Sequence, residues 1–163
     1  MSVFKTTFSR ALTVFPSDNA FIPNPALFVR LSFTTDGNPF VLIDDNADFL
    51  TQKVYPGDVV FNDNNATYAT VVSVDSSTQL TLNADITPAA DFDYVIYGMS
   101  PQANIGNPGC SIYVGGTGGD VAVITIGGDS VTFIAVPTGT ILPVQVRQIP
   151  VTGSSPSNLI ALW

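Results

Sequence analysis

The residues of this chain that could carry acid–base chemistry are almost all aspartates. Its 13 acidic residues are aspartates without exception, and it contains no histidine and no glutamate. Because histidine and glutamate supply most general acids and bases near neutral pH, proton transfer would depend on aspartate alone. Asp91 with Asp93, or Asp44 with Asp45, could pair as in glycoside hydrolysis, but solvated turn residues are the simpler interpretation. We therefore expect a protein that is not an enzyme and has no catalytic residue and no cofactor.

Three loops resemble ligand-binding loops in composition. Residues 44–48 (DDNAD) and 62–65 (NDNN) are rich in the oxygen ligands that hold calcium, but neither has the spacing or closing glutamate of a calcium loop. Residues 115–120 (GGTGGD) lack the lysine and following helix of a phosphate-binding loop, and the tandem repeats of a calcium-binding β-roll. We predict solvated turns for the first two, a flexible hairpin loop for the third, and no metal site.

The remaining chemical candidates are one thiol and a set of tyrosines. Cys110 is the single cysteine, so an intrachain disulfide is excluded. Without a histidine to activate it, a buried inert thiol is a better prediction than a nucleophile. Tyrosine rings can stack on sugars or simply pack in a core. Both interpretations stay open for Tyr55, Tyr68, Tyr94 and Tyr97.

Charge and hydropathy exclude several classes of partner. The formal net charge is −8 with only five basic residues, so no basic face can neutralise nucleic-acid phosphates or anionic lipid. Charged residues make up 11% of the chain and hydrophobic residues 45%, which favours a surface covered by protein partners. No stretch approaches the roughly 20 apolar residues of a membrane span, and no secretion signal is recognisable. We expect synthesis in a cytoplasm without processing.

The elements that must position these residues are predicted to be strands. Valine, isoleucine, threonine and phenylalanine alternate with glycine- and proline-rich turns, which is typical of an all-β protein. We predict two small β-barrel or sandwich modules preceded by an N-terminal arm. The arm and a proline-rich connector occupy residues 1–25, an inserted β-module residues 26–99, and a second β-module residues 100–163.

The expected strands are short and separated by turn signals. Residues 75–78 (DSST) and 127–129 (GGD) are predicted hairpin turns. In residues 1–15 four apolar side chains, Phe4, Phe8, Leu12 and Phe15, recur every three to four positions, which predicts a short amphipathic helix or an arm that docks on a neighbour. The predicted strands cover residues 27–34, 40–43, 59–61, 68–74, 79–82, 93–97, 111–114, 121–126, 130–134, 144–149 and 158–162.

The last third of the chain resembles a known family. The similar segments keep their order and end in a leucine followed by an aromatic residue: 111–115, 119–123, 131–133, 136–144 and 158–163. They resemble small β-rich virion proteins of tailed bacteriophages, the head spike base proteins and related capsid decoration (cement) proteins. The likeness covers about residues 106–163 and extends to residues 16–29. Residues 30–98 depart from the family pattern, as expected for an insert.

The resemblance implies a mechanical function. It implies a non-enzymatic virion structural protein that decorates and stabilises the head shell, located on the capsid surface. A head spike base or a tail or fibre adaptor, with a glycan- or receptor-binding module, is the alternative. The implied partners are the major capsid protein and further copies of the chain, as a trimer or pentamer. Shell contact is expected through Phe4, Phe8, Phe15 and Trp163, and removal of residues 1–15 is expected to leave a folded protein.

Overall fold

The computed structural model describes residues 7–33, 39–86 and 92–163. In this part of the chain there is no helix and 39% strand, which confirms the all-β prediction. Consequently, the described residues include no helix that could cross a membrane. The described strands, all paired antiparallel, are β1 (Ala11–Thr13), β2 (Phe28–Phe33), β3 (Val41–Ile43), β4 (Val59–Asn62), β5 (Thr67–Val74), β6 (Gln79–Leu82), β7 (Phe92–Tyr97), β8 (Ser111–Val114), β9 (Gly119–Thr125), β10 (Ser130–Val136), β11 (Val146–Gln148) and β12 (Leu159–Leu162).

The chain divides into two compact units. Unit 1 comprises Met1–Pro25 and Gly106–Trp163, and unit 2 comprises Ala26–Ile105. In sequence, unit 2 is therefore inserted into unit 1. The Gly98 N–H, after β7, donates to the Leu27 carbonyl, before β2, at 3.1 Å, so the first and last strands of unit 2 are neighbours. The sequence predicts a separate arm and connector over residues 1–25, whereas the structure places this segment in the same unit as the C-terminal strands.

Unit 2 is built on one six-stranded sheet. Its strand order is β2-β7-β4-β5-β6-β3, and the sheet curls around its core as a half-barrel. The register between β5 and β6 shifts between Val71 and Ser73, and such a bulge bends a strand and increases its twist. Side chains of β5 alternate between the core and the outer face, so that Ala69 and Val71 are buried while their neighbours Tyr68 and Val72 are exposed.

Unit 1 contains two three-stranded sheets around one core. Their strand orders are β1-β12-β8 and β10-β9-β11. The core side chains come from both sheets and from the segments that connect them. Two isolated bridges, Cys110 with Val146 and Tyr113 with Ile141, place further backbone beside β11 and β8. Residues 127–129 form the predicted hairpin turn between β9 and β10, with Gly128 at φ 96° where an L side chain would be strained.

The N-terminal segment contributes a strand that the sequence does not predict. β1 pairs with β12, with Ala11 opposite Leu162, and the Val14 N–H donates to the Leu159 carbonyl at 2.9 Å. Val14 and Ile22 lie buried in the core of unit 1. The helix alternative for residues 1–15 is therefore wrong over residues 11–13. Removing residues 1–15 would delete a paired strand and a core side chain, which argues against the expectation that the remainder folds.

Candidate interaction surfaces

The first aspartate cluster is a structural turn around a buried carboxyl group. Asp44 is fully buried between β3 and the following turn, and its Oδ1 accepts the Asn46 N–H at 2.8 Å. Its Oδ2 accepts the Tyr94 hydroxyl of β7 at 2.7 Å. Desolvation by burial raises the pKa of Tyr94, and the hydrogen bond to Asp44 and the charge of Asp44 add to this shift. The carboxyl group thus joins a loop to the sheet, and both of its oxygens are occupied.

A second buried carboxyl group, Asp58, joins two turns of unit 2. Its Oδ1 accepts the Ser100 N–H and its Oδ2 accepts the Tyr55 N–H, each at 2.9 Å. Desolvation by burial raises the pKa of Asp58, although hydrogen bonds from Ser100 and Tyr55 act in the opposite direction. The Ser100 Oγ then accepts the Ala103 N–H at 3.1 Å, which continues the turn. Asp58 was not a candidate from the sequence, and its role here is structural.

The asparagine cluster is also used within the fold. Asn62 is buried, donating through Nδ2 to the Ile86 carbonyl at 2.8 Å and accepting the Asn64 N–H at Oδ1. The Asn64 Oδ1 accepts the Asp93 N–H at 2.9 Å. Asp93 is exposed on β7, and Asp91 lies outside the described residues. Among the described side chains, no group of three or more His, Cys, Asp or Glu residues could hold a metal ion.

The glycine-rich loop of unit 1 is a sheet-to-sheet connection, so the hairpin predicted for residues 115–120 is wrong. It joins β8 and β9, which belong to different sheets. The Gly115 N–H donates to the Asn158 carbonyl at 3.0 Å, and the Gly116 N–H donates to the Ser157 carbonyl at 3.2 Å. A Cβ added at Gly118 would lie 2.5 Å from the Val136 carbonyl oxygen. Glycine is needed here because backbone packs directly against backbone.

The single thiol is buried, as the sequence predicts. Cys110 is a free cysteine whose Sγ donates to the Val146 carbonyl at 3.5 Å. Burial raises the pKa of the thiol to about 12. A thiol that stays protonated at neutral pH is a poor nucleophile and a poor metal ligand. Its role in the structure is that of a small apolar core residue.

The predicted partner-binding aromatic residues have different positions. Phe4 lies outside the described residues, and Phe8 and Phe15 are half-buried. Trp163 is half-buried and packs against the core of unit 1. Its backbone N–H donates to the Arg10 carbonyl at 3.0 Å, which extends the pairing of β1 and β12. Trp163 therefore has an internal contact, and the binding of a partner by these four residues stays a prediction.

The four candidate sugar-stacking tyrosines are not equivalent. Tyr94 is 0% exposed and cannot stack on a ligand, so its candidacy is wrong. Its inward position follows from the alternation of β7, in which Phe92, Tyr94 and Ile96 share the core face. Tyr55 is half-buried, whereas Tyr68 is 60% exposed on the outer face of β5. Of these tyrosines, Tyr68 has the most accessible ring.

The edge strand β10 is an exposed apolar surface that the sequence prediction missed. It borders only β9 in its sheet, and Val131 and Ile134 are 43% and 70% exposed. Between the pairs Phe133–Val121 and Val136–Gly119, two residues of β10 lie opposite Asp120 alone, which is a β-bulge. Ala135 in the bulge has φ 52°, and its N–H donates to the Asp120 Oδ1 at 2.8 Å. The absence of charged residues and proline from residues 130–136 is the feature of the sequence that could have predicted this exposed edge strand.

Comparison with known proteins adds no family to these observations. No known protein family matches the chain. No curated protein matches it either. The likeness of residues 106–163 to phage virion proteins therefore stays a prediction from the sequence. In the structure, most of these residues belong to the strands β8–β12 of unit 1 and their connections.

The two units divide the charge of the chain very unequally. Ten of the 13 aspartates and two of the five basic residues lie in Ala26–Ile105, so unit 2 carries a formal charge of −8. Unit 1 has three aspartates against three basic residues and is formally neutral. Unit 1 therefore presents its exposed apolar side chains without a net charge that would repel copies of itself or acidic partners. These side chains are Ile126, Val131, Ile134, Ile141 and Val151.

Proposed function

We propose that the chain is a non-enzymatic structural protein of a tailed-phage virion, a capsid decoration (cement) protein that stabilises the head shell. The observation that carries the proposal is the division of charge between a neutral unit 1 and an acidic unit 2. Unit 1 also contains the segments that resemble virion proteins. In this proposal unit 1 docks on the major capsid protein and unit 2 faces the solvent.

Docking through unit 1 is favoured by its surface. Contact between proteins gains free energy mainly from buried apolar area, at about 25 cal/mol per Å², and like charges across a contact reduce that gain. Unit 1 offers exposed isoleucine and valine side chains at a formal charge of zero, whereas unit 2 concentrates the charge of the chain. A neutral, apolar docking unit suits repeated contacts with shell subunits in a symmetric lattice, where homo-oligomers such as trimers or pentamers fit.

The hydrogen bonds of the two buried carboxyl groups also favour a mechanical function. Asp44 and Asp58 are both engaged in hydrogen bonds that hold turns together. A general acid or base needs access to substrate, and a buried carboxyl group bound to backbone N–H groups has none. Asp44 and Asp58 thus serve the fold of unit 2.

The experiment that tests the proposal measures occupancy on particles. Quantitative mass spectrometry of purified virions is expected to find the chain at a copy number that matches a symmetric set of shell positions. Particles stripped of the protein, or made without it, are then rebound with Ile141→Asp, Val151→Asp and Leu50→Asp proteins. Ile141 and Val151 are exposed in unit 1 and Leu50 in unit 2, so the first two variants are expected to lose occupancy and the third to retain it.

Two results would contradict this assignment. One is the absence of the chain from purified particles. The other is a loss of occupancy with Leu50→Asp while both unit 1 variants bind normally, because docking would then occur through unit 2. Removal of residues 1–7 tests the contribution of Phe4 without deleting β1, and the predicted outcome is weaker binding by a folded protein. Circular dichroism of each variant controls for folding.

The second candidate function is a head spike base or tail or fibre adaptor that binds a host glycan or receptor. The exposed ring of Tyr68 favours it, because sugar rings stack on accessible aromatic faces, and the exposed side chain of Val72 lies four residues further along the same face of β5. A glycan array with the wild-type protein and Tyr68→Ala tests this function. Binding that persists in Tyr68→Ala, or no binding by the wild type, would contradict it.

A further inference from the structure

Strand β10 leaves a row of backbone groups unpaired on the open edge of its sheet. At the hairpin turn the Thr125 N–H donates to the Asp129 carbonyl at 2.9 Å, so this pair carries ladder hydrogen bonds. In an antiparallel ladder such pairs alternate with pairs that carry none. Val131 lies opposite Val123, and Phe133 lies opposite Val121. Val131 and Phe133 are therefore the residues whose backbone groups form hydrogen bonds with β9. The N–H and C=O groups of Ser130, Thr132 and Ile134 therefore point away from β9.

Two other strand edges of unit 1, those of β11 and β8, are covered by its own chain. Beside β11, the Ser17 N–H donates to the Ile149 carbonyl and the Ile22 N–H to the Arg147 carbonyl, both at 2.8 Å. Beside β8, the Leu142 N–H donates to the Ile112 carbonyl at 2.8 Å. Among the described residues, no comparable segment lies along β10. Proteins usually protect an open edge with charge or proline, and residues 130–136 contain neither.

We propose that β10 pairs with β10 of a second copy of this chain, antiparallel across a two-fold axis at Thr132. The two three-stranded sheets then form one continuous six-stranded sheet. Thr132 faces Thr132 of the other copy, Val131 faces Phe133, and Ser130 faces Ile134. The outward groups of these residues form about six hydrogen bonds between the copies, the number that an antiparallel register of this length allows. The bulge at Ala135 ends the pairing on each side.

The residues of β10 are complementary to those of a second, antiparallel β10. Reversing the strand about Thr132 places apolar Val131 against apolar Phe133 on one face and threonine against threonine on the other, and both are favourable cross-strand pairs. The pairing also covers Ile134, the most exposed large apolar side chain of unit 1. Unit 1 is formally neutral, so two copies meet without net repulsion at this edge. This contact is a property of the purified chain and does not depend on the proposed virion function.

A proline substitution separates the pairing between copies from the fold of each copy. Thr132→Pro removes an outward N–H while the ladder with β9 keeps its hydrogen bonds, and proline is tolerated at such edge positions. Sedimentation velocity over a concentration series is expected to show dimers for the wild type. For Thr132→Pro the dimer is expected to weaken by about tenfold or more, because two hydrogen bonds are lost across the axis. Far-UV circular dichroism and Trp163 fluorescence are expected to match the wild type.

Two further pairs of variants decide the result if the proline variant does not fold. Thr132→Lys places like charges opposite each other at the axis and is expected to give monomers, whereas Thr13→Lys, on the exposed edge strand β1, keeps the dimer. Thr132→Cys is expected to form a disulfide dimer under mild oxidation, since Cα atoms in a hydrogen-bonded antiparallel pair lie about 5.5 Å apart. Thr13→Cys is the matched control and is expected to remain monomeric on a denaturing gel.

Several outcomes would overturn this pairing. A wild type that stays monomeric at every concentration tested excludes it. A folded Thr132→Pro or Thr132→Lys protein with undiminished dimer excludes it as well. A trimer or pentamer that none of the Thr132 variants disturbs, or cross-linking through Thr13→Cys in place of Thr132→Cys, assigns the contact between copies to another surface.

Discussion

Removal of the Tyr94 hydroxyl tests how unit 2 is stabilised. The hydroxyl donates to the Asp44 Oδ2 at 2.7 Å, and both side chains are fully buried. Burial raises the pKa of Tyr94, so the phenol remains a protonated donor through the neutral and mildly alkaline range. Tyr94→Phe keeps the ring in the core and removes this donor alone. The Asp44 Oδ1 keeps its hydrogen bond from the Asn46 N–H at 2.8 Å.

The expected loss of stability follows from the Asp44 Oδ2 atom, which loses its hydrogen-bond donor. A hydrogen bond to a charged group contributes about 1.5–3 kcal/mol, and a buried acceptor left without a donor costs its full desolvation. We therefore expect Tyr94→Phe to lower the free energy of unfolding of unit 2 by about 2–3 kcal/mol. Tyr68→Phe is the matched control, since it removes the same hydroxyl from an exposed tyrosine of the same sheet. We expect it to change stability by less than about 0.5 kcal/mol.

Chemical denaturation with two probes measures this change and assigns it to a unit. Trp163 is the only tryptophan and belongs to unit 1, whereas far-UV circular dichroism reports the strands of both units. Each unit has its own core, so Tyr94→Phe is expected to move the circular dichroism transition of unit 2 and leave the Trp163 fluorescence transition in place. A change below about 0.5 kcal/mol would refute the role of the buried hydrogen bond. An equal shift of both probes would refute independent unfolding of the units.

Three further substitutions or reactions test other parts of the fold. Hydrogen bonds from Ser73 and Thr81 lower the pKa of Asp75 below 3.8, so its stabilisation is present above that pH and is lost as the pH falls through the lowered value. Asp75→Asn is therefore expected to lower the melting temperature at about pH 7 and to differ little from the wild type at about pH 2.5; a difference that persists unchanged in acid would contradict this. Gly118→Ala is expected to destabilise unit 1 by about 1–3 kcal/mol by overpacking against the Val136 carbonyl, as followed by Trp163 fluorescence. Gly127→Ala, whose Cβ would meet only two side-chain oxygens, at 3.3 and 3.7 Å, is the mild control, and equal effects would argue against the packing explanation. Burial raises the pKa of the Cys110 thiol to about 12, so a thiol reagent at about pH 8 is expected to react only as the protein unfolds, and rapid labelling of the native protein would refute its burial.

Local patterns in the sequence predict where most strands lie. Residues 111–114 were predicted as a strand and form β8 with the same bounds, and residues 79–82 do the same as β6. The hairpin turn at residues 75–78 is confirmed by the pairing of β5 with β6. These features depend on alternation and turn residues within a few positions of one another, and that information is contained in a short window of sequence.

Pairing between distant segments could not be predicted in this way. β1 was missed because its side chains recur at helical spacing, while the strand that it joins, β12, lies at the other end of the chain. The loop at residues 115–120 was predicted as a hairpin because two strands flank it, yet those strands belong to different sheets. The burial of Tyr94 and the exposure of Tyr68 likewise depend on which face of the sheet meets the core. Tertiary context decides each of these features.

The arrangement of the chain gives a physical reason for concentrating the net charge in one unit. Unit 1 is closed by pairing of its own two ends, since β1 lies beside β12, so a segment inserted after Pro25 does not interrupt that closure. Within unit 2 the first and last strands, β2 and β7, pair with each other, so the unit can complete its own sheet and core within the insertion. Unit 2 is acidic and has its own core. It can therefore raise the net charge that keeps the chain in solution, while unit 1 stays formally neutral and able to associate. A chain with the same charge spread over unit 1 would add further aspartates to Asp120 and Asp129, which already lie beside β10, and each addition would oppose contact with a second copy.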